Sequence, residues 1–158
     1  MIARRIAEMK LEELIHICSY FTGNSVHSQL FQSLATSPGT LPVHQRVLVP
    51  VRHPGELGQS AFEHERVQFF FRHCLRKHHR IAFHAKIRAC MRAFSDLDLS
   101  SSVGSSLIHA HTLFSDGAIA FELHKSFGVP YLVSVRNTDL SVFLRFFLHL
   151  RTYAHDIL

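Results

Sequence analysis

An α/β domain built on a parallel sheet is the fold this sequence predicts. Three observations lead there. Five short apolar runs are each bounded by loop residues. Helical stretches of roughly ten to fifteen residues separate most of them, and no internal repeat is visible. Strands and helices that alternate in this way bury their apolar faces as a Rossmann-like doubly wound parallel sheet, here of about five strands. The 158 residues suit one domain with one core, taken as residues 1–158.

Met1 to Glu13 reads as a short amphipathic helix. Leu14 to Cys18 is the first strand, short and apolar, and "SYFTGNS" is the loop after it. Gly23 gives that loop backbone freedom, and Asn24 or Ser25 can cap the next helix, Val26 to Ala35. Val26, Leu30 and Leu34 recur four apart and mark its expected buried face. Gln45 to Val51 is the second strand, with Pro50 pointing to its end or to a sheet edge. Val67 to Phe71 is the third.

Arg80 to Phe94 reads as a helix with Phe83, Ile87, Cys90, Met91 and Phe94 on one stripe, followed by a polar connector. Leu107 to His111 is the fourth strand. Ser115 or Asp116 can cap a helix from Gly117 to Phe127, whose inner face holds Ile119, Leu123 and Phe127. Gly128 and Pro130 stop it. Tyr131 to Val135 is the fifth strand. Thr138 or Asp139 caps a last helix from Leu140 to about Tyr153.

Hydrophobic residues make up 47% and charged residues 18%, a globular composition that excludes a disordered chain. The net charge of +5 favours anionic partners. Cys18, Cys74 and Cys90 are odd in number and widely spaced, which supports neither a disulfide framework nor a zinc knuckle. The expected setting is therefore reducing and cytoplasmic. Met1 to Lys10 lacks the apolar core of a signal peptide, and no apolar run reaches the ~18 residues of a spanning helix.

In sheets of this kind ligands bind outside the carboxyl ends of the strands, where the strand order reverses. The loops after strands one, four and five, "SYFTGNS", "HTLFSDG" and "RNTD", therefore carry the candidate site. His109 and His111 are two apart and share one face of a strand. Three readings stand for them: a zinc site with Asp116 as third ligand, a phosphate or sugar contact at His111 oriented by His109, or two satisfied histidines in a turn. Gly23 and Asn24 open a helix N-terminus, a place suited to phosphate, though no dinucleotide fingerprint follows the first strand.

Residues 66–94 hold eight of the 17 Lys and Arg and no Asp or Glu. Arg80, His84, Arg88 and Arg92 fall four apart as a ridge that is either a solvated face or a surface for anionic lipid at the inner membrane face. No nucleic-acid motif accompanies it. "HCLRKHH" has irregular spacing for a metal tract. The last helix is apolar nearly all round, with only Ser141, Arg145 and His149 as a polar stripe, so another subunit or further chain is expected to cover it. No Gly-x-Ser-x-Gly, P-loop or Cys/His nucleophile pair is present.

"LIHAHTLFSDGAIAFELHKSFGVPYLVSVRNTD", residues 107–139, resembles the amino-terminal domain of family 4 glycosyltransferases, enzymes of the two-domain GT-B fold. The shared pattern is a strand ending in His-x-His, a glycine opening a small-residue helix, Gly-Val-Pro, a strand and a polar loop ending in Asp. "IHICSYFTGNSVHSQLFQSL", residues 15–34, is similar to that family's first strand, loop and helix.

The resemblance implies an acceptor-side domain working opposite a carboxy-terminal domain that holds a nucleotide sugar. It implies retaining transfer with no metal and no cofactor. Gly23 and Asn24 would approach the donor diphosphate, and His111 would contact the donor sugar near the reacting centre. Arg136, Asn137 and Asp139 would border the acceptor cleft, with His109, Asp116 and Gly117 in support. Gly-Asn stands where the family often has paired glycines, and Arg136 where it often has a histidine. The family's two donor-site glutamates, eight positions apart, have no counterpart here. A domain cut short, and inactive alone, is the expectation.

Overall fold

The computed structural model describes residues 10–37, 43–99 and 103–158. Its centre is a five-stranded parallel sheet: β1 (Glu13–Ile17), β2 (His44–Val51), β3 (Val67–His73), β4 (Ser106–Ala110) and β5 (Tyr131–Val133). The spatial order is β3-β2-β1-β4-β5. It grows outward in one direction from β1 to β3 and then resumes on the other side of β1 with β4, so the order reverses between β1 and β4. The doubly wound α/β expectation describes the molecule.

Successive residues of β1 face opposite sides of the sheet. Ile15 and Ile17 join Leu48, Ile108 and Ala110 in one core, covered by α2 (Phe83–Ala93) and α3 (Ser115–Phe127). Cys18 joins Val47, Val49, Val51 and Val67 in a smaller core under α1 (Ser25–Thr36). Pro50 sits in a strand flanked on both sides, but β1 pairs with β2 only as far as Leu48, so the proline lies beyond the central ladder.

Several expectations are corrected. The proposed helix over 1–13 falls through residue 9 outside the described residues, and Glu13 already opens β1. On α1 the buried side chains are His27, Phe31 and Ala35, while Val26 is 67% and Leu30 40% exposed. Adjacent stripes of this helix both carry apolar residues, and the ring of Phe31, packed on His16 and Phe21, selects the one that turns inward. A 3-10 turn, Lys77–Arg80, precedes α2, so Arg80 stands before the helix and not on it. The stripe of α2 is as expected, with Ile87, Cys90 and Phe94 buried and Phe83 and Met91 packed against them. That stripe brings Cys90 Sγ within 3.9 Å of Cys74 Sγ, both free thiols.

The last helix departs most. Asp139–Phe143 is a π turn, Leu144–Phe146 a single α turn, and Leu148–Leu150 a 3-10 turn, before α4 (Arg151–Ile157). The chain bends at Phe147, where φ is −105° and ψ 64°. The bend sends Leu150, Ala154 and Ile157 into the main core and leaves Leu140, Val142, Phe146 and Leu148 exposed. A straight helix would have held all of these on one rod; the break lets the second half be buried. Among the described residues, no helix is long and apolar enough to cross a membrane.

Glycine ends α3 as expected: Gly128 takes φ 74° and donates its amide to His124 O. Gly117 has a different use. A Cβ there would meet Ile157 Cγ2 at 3.1 Å and Thr112 O at 3.3 Å, so its smallness lets α3 and α4 approach.

The choice of α1 face gives a direct test. Phe31→Ala should cost about 3–5 kcal/mol in urea unfolding. Leu30→Ala, one position away, should stay within about 0.5 kcal/mol beyond its helix-propensity change. Comparable losses for the two would overturn the assignment of the buried face.

Candidate functional site

The carboxyl edge of the sheet is where three loops meet, and two buried carboxylates join them. Asp116, fully buried, accepts from Ser19 N at 2.9 Å and from the Thr112 hydroxyl at 3.0 Å. Thr112 Oγ1 in turn accepts from Asp116 N in the first turn of α3, whose N-cap position is Phe114 and not Ser115 or Asp116. Asp139 accepts from Leu113 N at 3.1 Å and from Arg136 N at 2.9 Å. The first carboxylate ties the β1 loop to the β4 loop, and the second ties the β4 loop to the β5 loop. Burial pushes the Asp116 carboxyl up, and its hydrogen bonds with Ser19 and the nearby Lys86 act against that. Lys86 itself is pushed down by burial and donates to Ser115 Oγ at 2.7 Å.

Below this edge, on the α1 side of the sheet, lies a cluster of imidazoles. His16 comes from β1, His109 from β4, His111 from the position just after β4, and His27 from α1. Sheet pairing sets His16 opposite His109, and the His111 amide donates to Ile17 O. The expected common face of His109 and His111 is observed, their ring centroids 4.2 Å apart. His16 Nδ1 and His111 Nε2 are 3.1 Å apart, close enough for one ring to donate to the other. His109 Nε2 pairs with Ser134 Oγ at 2.8 Å. His16 is fully buried, His27 and His111 are buried at 3% exposure, and His109 is half-buried.

Arg136 closes the cluster. Its Nε donates to the His111 carbonyl at 2.7 Å and its Nη2 meets His27 Nε2 at 2.6 Å. A guanidinium only donates, so His27 Nε2 is the acceptor and the His27 proton sits on Nδ1. Burial drives the rings toward the neutral form, His16 down to about 3 and His111 down to about 2, with the neighbouring His109 next in importance for both. His27 and His109 are lowered by burial first and then by Arg136.

The zinc reading with Asp116 as third ligand is corrected here. The Asp116 carboxylate is committed to Ser19 and Thr112. Among the described residues, the groups of possible metal ligands are His16 with His109 and His111, and Cys18 with His27 and His111. The "HCLRKHH" tract, residues 73–79, contributes none. Gly23 takes φ 71°, and Asn24 caps α1 by accepting from Val26 N at 3.0 Å. Asn137 is exposed on the β5 loop. His16 and His27 carry little signal in the sequence because each sits singly, inside an apolar strand and on a helix. The one signal, for His16, is the face it shares with Cys18, two apart, matching His109 and His111 on the neighbouring strand.

A cavity of about 450 Å³ lies elsewhere, at the amino edge of β1, β2 and β3. Its walls carry the Glu13–Arg46 ion pair at 2.5 Å, a satisfied structural contact. The convergent polar groups are at the opposite edge, and we place the site there.

Comparison with family models, curated proteins and solved structures finds no match to this chain. The resemblance to glycosyltransferases therefore rests on the quoted motifs.

The histidines give a pH dependence with a definite sign. Their folded pKa values lie below the ordinary 6.5, so the unfolded chain binds more protons on acidification. Stability should be full above pH 6.5 and fall below it, by up to about 1.4 kcal/mol per pH unit for each of His16 and His111. Asp116, shifted upward, opposes this only where it takes up its own proton. Urea midpoints at pH 7 and pH 5 check it; equal midpoints would contradict the buried neutral rings.

Proposed function

We propose that the chain is the acceptor-side domain of a retaining, nucleotide-sugar-dependent glycosyltransferase of the family 4 type. In this reading it works opposite a donor-binding domain that supplies the glutamates this sequence lacks. The observation that supports it is the reversal of strand order between β1 and β4. Gly23 and Asn24, His111, and Arg136 to Asp139 stand on the loops around that one reversal, the position where open α/β sheets receive their ligands.

The chemistry asked of such an edge is electrostatic. Negative charge grows on the departing diphosphate, and fixed donors aimed at it lower the barrier. The amino end of α1 offers the partial positive charge of a helix start, and Arg136 offers a guanidinium held by Asp139 through its own backbone. His111 lies beneath Arg136 and His27, so a sugar reaches its ring only if Arg136 swings outward toward the phosphates. Asp139 and Asp116 act on the loops through backbone amides and are positioning residues.

The test is binding of UDP-glucose and GDP-mannose to the full chain by calorimetry. Weak saturable binding of one of them is expected, with Arg136→Gln about 10–100-fold weaker, the worth of a charged hydrogen bond. Saturable binding that is untouched in Arg136→Gln would sink the reading.

A second reading concerns the basic ridge. His84, Arg88 and Arg92 are exposed along α2, and Ile81, 89% exposed, stands at its head beside Arg80. An apolar anchor within a cationic row suits an anionic membrane surface. Flotation with vesicles containing phosphatidylserine should retain the chain and lose it in Arg88→Gln with Arg92→Gln. Equal retention on neutral vesicles would count against it.

A further inference from the structure

Four imidazoles converge beneath the crevice, and three of them have the arrangement of metal ligands. We propose that His16, His109 and His111 form a binding site for a zinc-class divalent ion, a site that stands independently of the glycosyl-transfer reading. One ligand atom from each residue lies within 4.8 Å of the other two. His16 Nδ1 and His111 Nε2 are 3.1 Å apart. Two nitrogens on one tetrahedral zinc, each at about 2.0–2.1 Å, are about 3.3 Å from each other. Without an ion this contact is an N–H···N hydrogen bond. With one, the ion takes the place of the shared proton and both lone pairs turn to it.

The outer nitrogens are arranged to match. A metal-bound histidine holds its ring by donating its other N–H to a nearby acceptor. With His109 Nε2–H donating to Ser134 Oγ at 2.8 Å, Nδ1 carries the free lone pair. His16 Nε2 and Gln45 Oε1 are both buried without a formed partner. Gln45 is also the group whose hydrogen bonding favours a protonated His16 ring. When His16 Nδ1 binds an ion its proton must sit on Nε2, and Gln45 Oε1 is the acceptor beside it. The ion would thus fix the tautomer in which His16 Nε2 is a donor and Gln45 Oε1 an available acceptor.

Availability of the lone pairs also favours binding. Metal competes with protons for each ligand, and burial keeps these rings neutral at neutral pH. Three imidazoles and no carboxylate suit zinc with a fourth position left for water. Arg136 is a cation beside the site and acts against the ion. A zinc-bound water that loses its proton would give that guanidinium an anion to face. His27 is excluded from the set because its Nε2 accepts from Arg136.

The test uses the full chain stripped with a chelator and titrated with Zn2+ against a chromophoric competitor. Visible absorption with Co2+ reports the coordination. We expect one ion per chain and the intense bands of a four-coordinate cobalt site. Because the sequence holds 14 histidines, the exposed His84 and His155 are replaced together as the control for surface binding and should leave the affinity unchanged. His109→Ala, at a half-buried position, and His16→Gln should each lose at least about 100-fold in affinity, and Ser134→Ala about tenfold, the range seen for outer partners.

Should His16→Gln fail to fold by circular dichroism, His109→Ala and Ser134→Ala carry the test. No tight one-to-one binding, or binding unchanged in His109→Ala, overturns the proposal. Loss of binding in Cys18→Ser with His109→Ala unaffected overturns it too, in favour of Cys18, His27 and His111.

Discussion

The carboxylates of Asp116 and Asp139 are the constraint on which the rest of this edge depends. In a parallel sheet every strand ends at the same side, so three loops leave β1, β4 and β5 together with their backbone amides unpaired. Ser19 N, Leu113 N and Arg136 N are three such donors, and the two aspartates accept from all of them. Asp116 stays buried at a cost, visible in its raised pKa, that its hydrogen bonds and Lys86 offset. The loops are thereby held as one rim.

That rim roofs a polar strip in an otherwise apolar interface. On the α1 side of the sheet, β2 contributes Val47, Val49 and Val51, whereas β1 and β4 contribute His16, His109 and, just past the strand end, His111. Replacing aliphatic side chains by imidazoles there gives up burial of apolar surface and requires every ring nitrogen to find a partner. Aromatic contact recovers part of this: His16 lies 4.4 Å from the Phe31 ring centroid, and Phe31 also contacts His27 and His111. Hydrogen bonds to Ser134, Arg136 and between His16 and His111 recover more. His16 Nε2 and His27 Nδ1 remain without partners, so the strip is only partly compensated.

The break in the chain at Phe147 follows from the same core. Residues 140–150 are too apolar to divide cleanly into an inner and an outer face, so a single straight helix would strand half of them. Bending instead seats Leu150, Ala154 and Ile157 against α3, where Gly117 gives them room, and Tyr131 fastens the end by donating to Ile157 O at 2.6 Å. Arg145 covers the exposed Phe146 ring at 5.5 Å.

By itself the sequence determined the layered α/β architecture, because strand and helix periods are local and Gly128, Asn24 and Pro130 punctuate them by backbone chemistry that needs no neighbour. It also located the edge where the polar loops meet, since the position of polar loops after strands follows from alternation alone. The tertiary structure decided which stripe of α1 faces inward, because Val26 and Leu30 are as apolar as Phe31 and only the space beside His16 and Phe21 distinguishes them. It decided that Asp116 and Asp139 tie the three loops together through backbone amides. It alone assembled the histidine cluster: His16 and His111 stand 95 positions apart in the chain, and their 3.1 Å contact exists only because β1 pairs with β4. Proximity across a sheet is set by strand order, a global property that no single segment encodes.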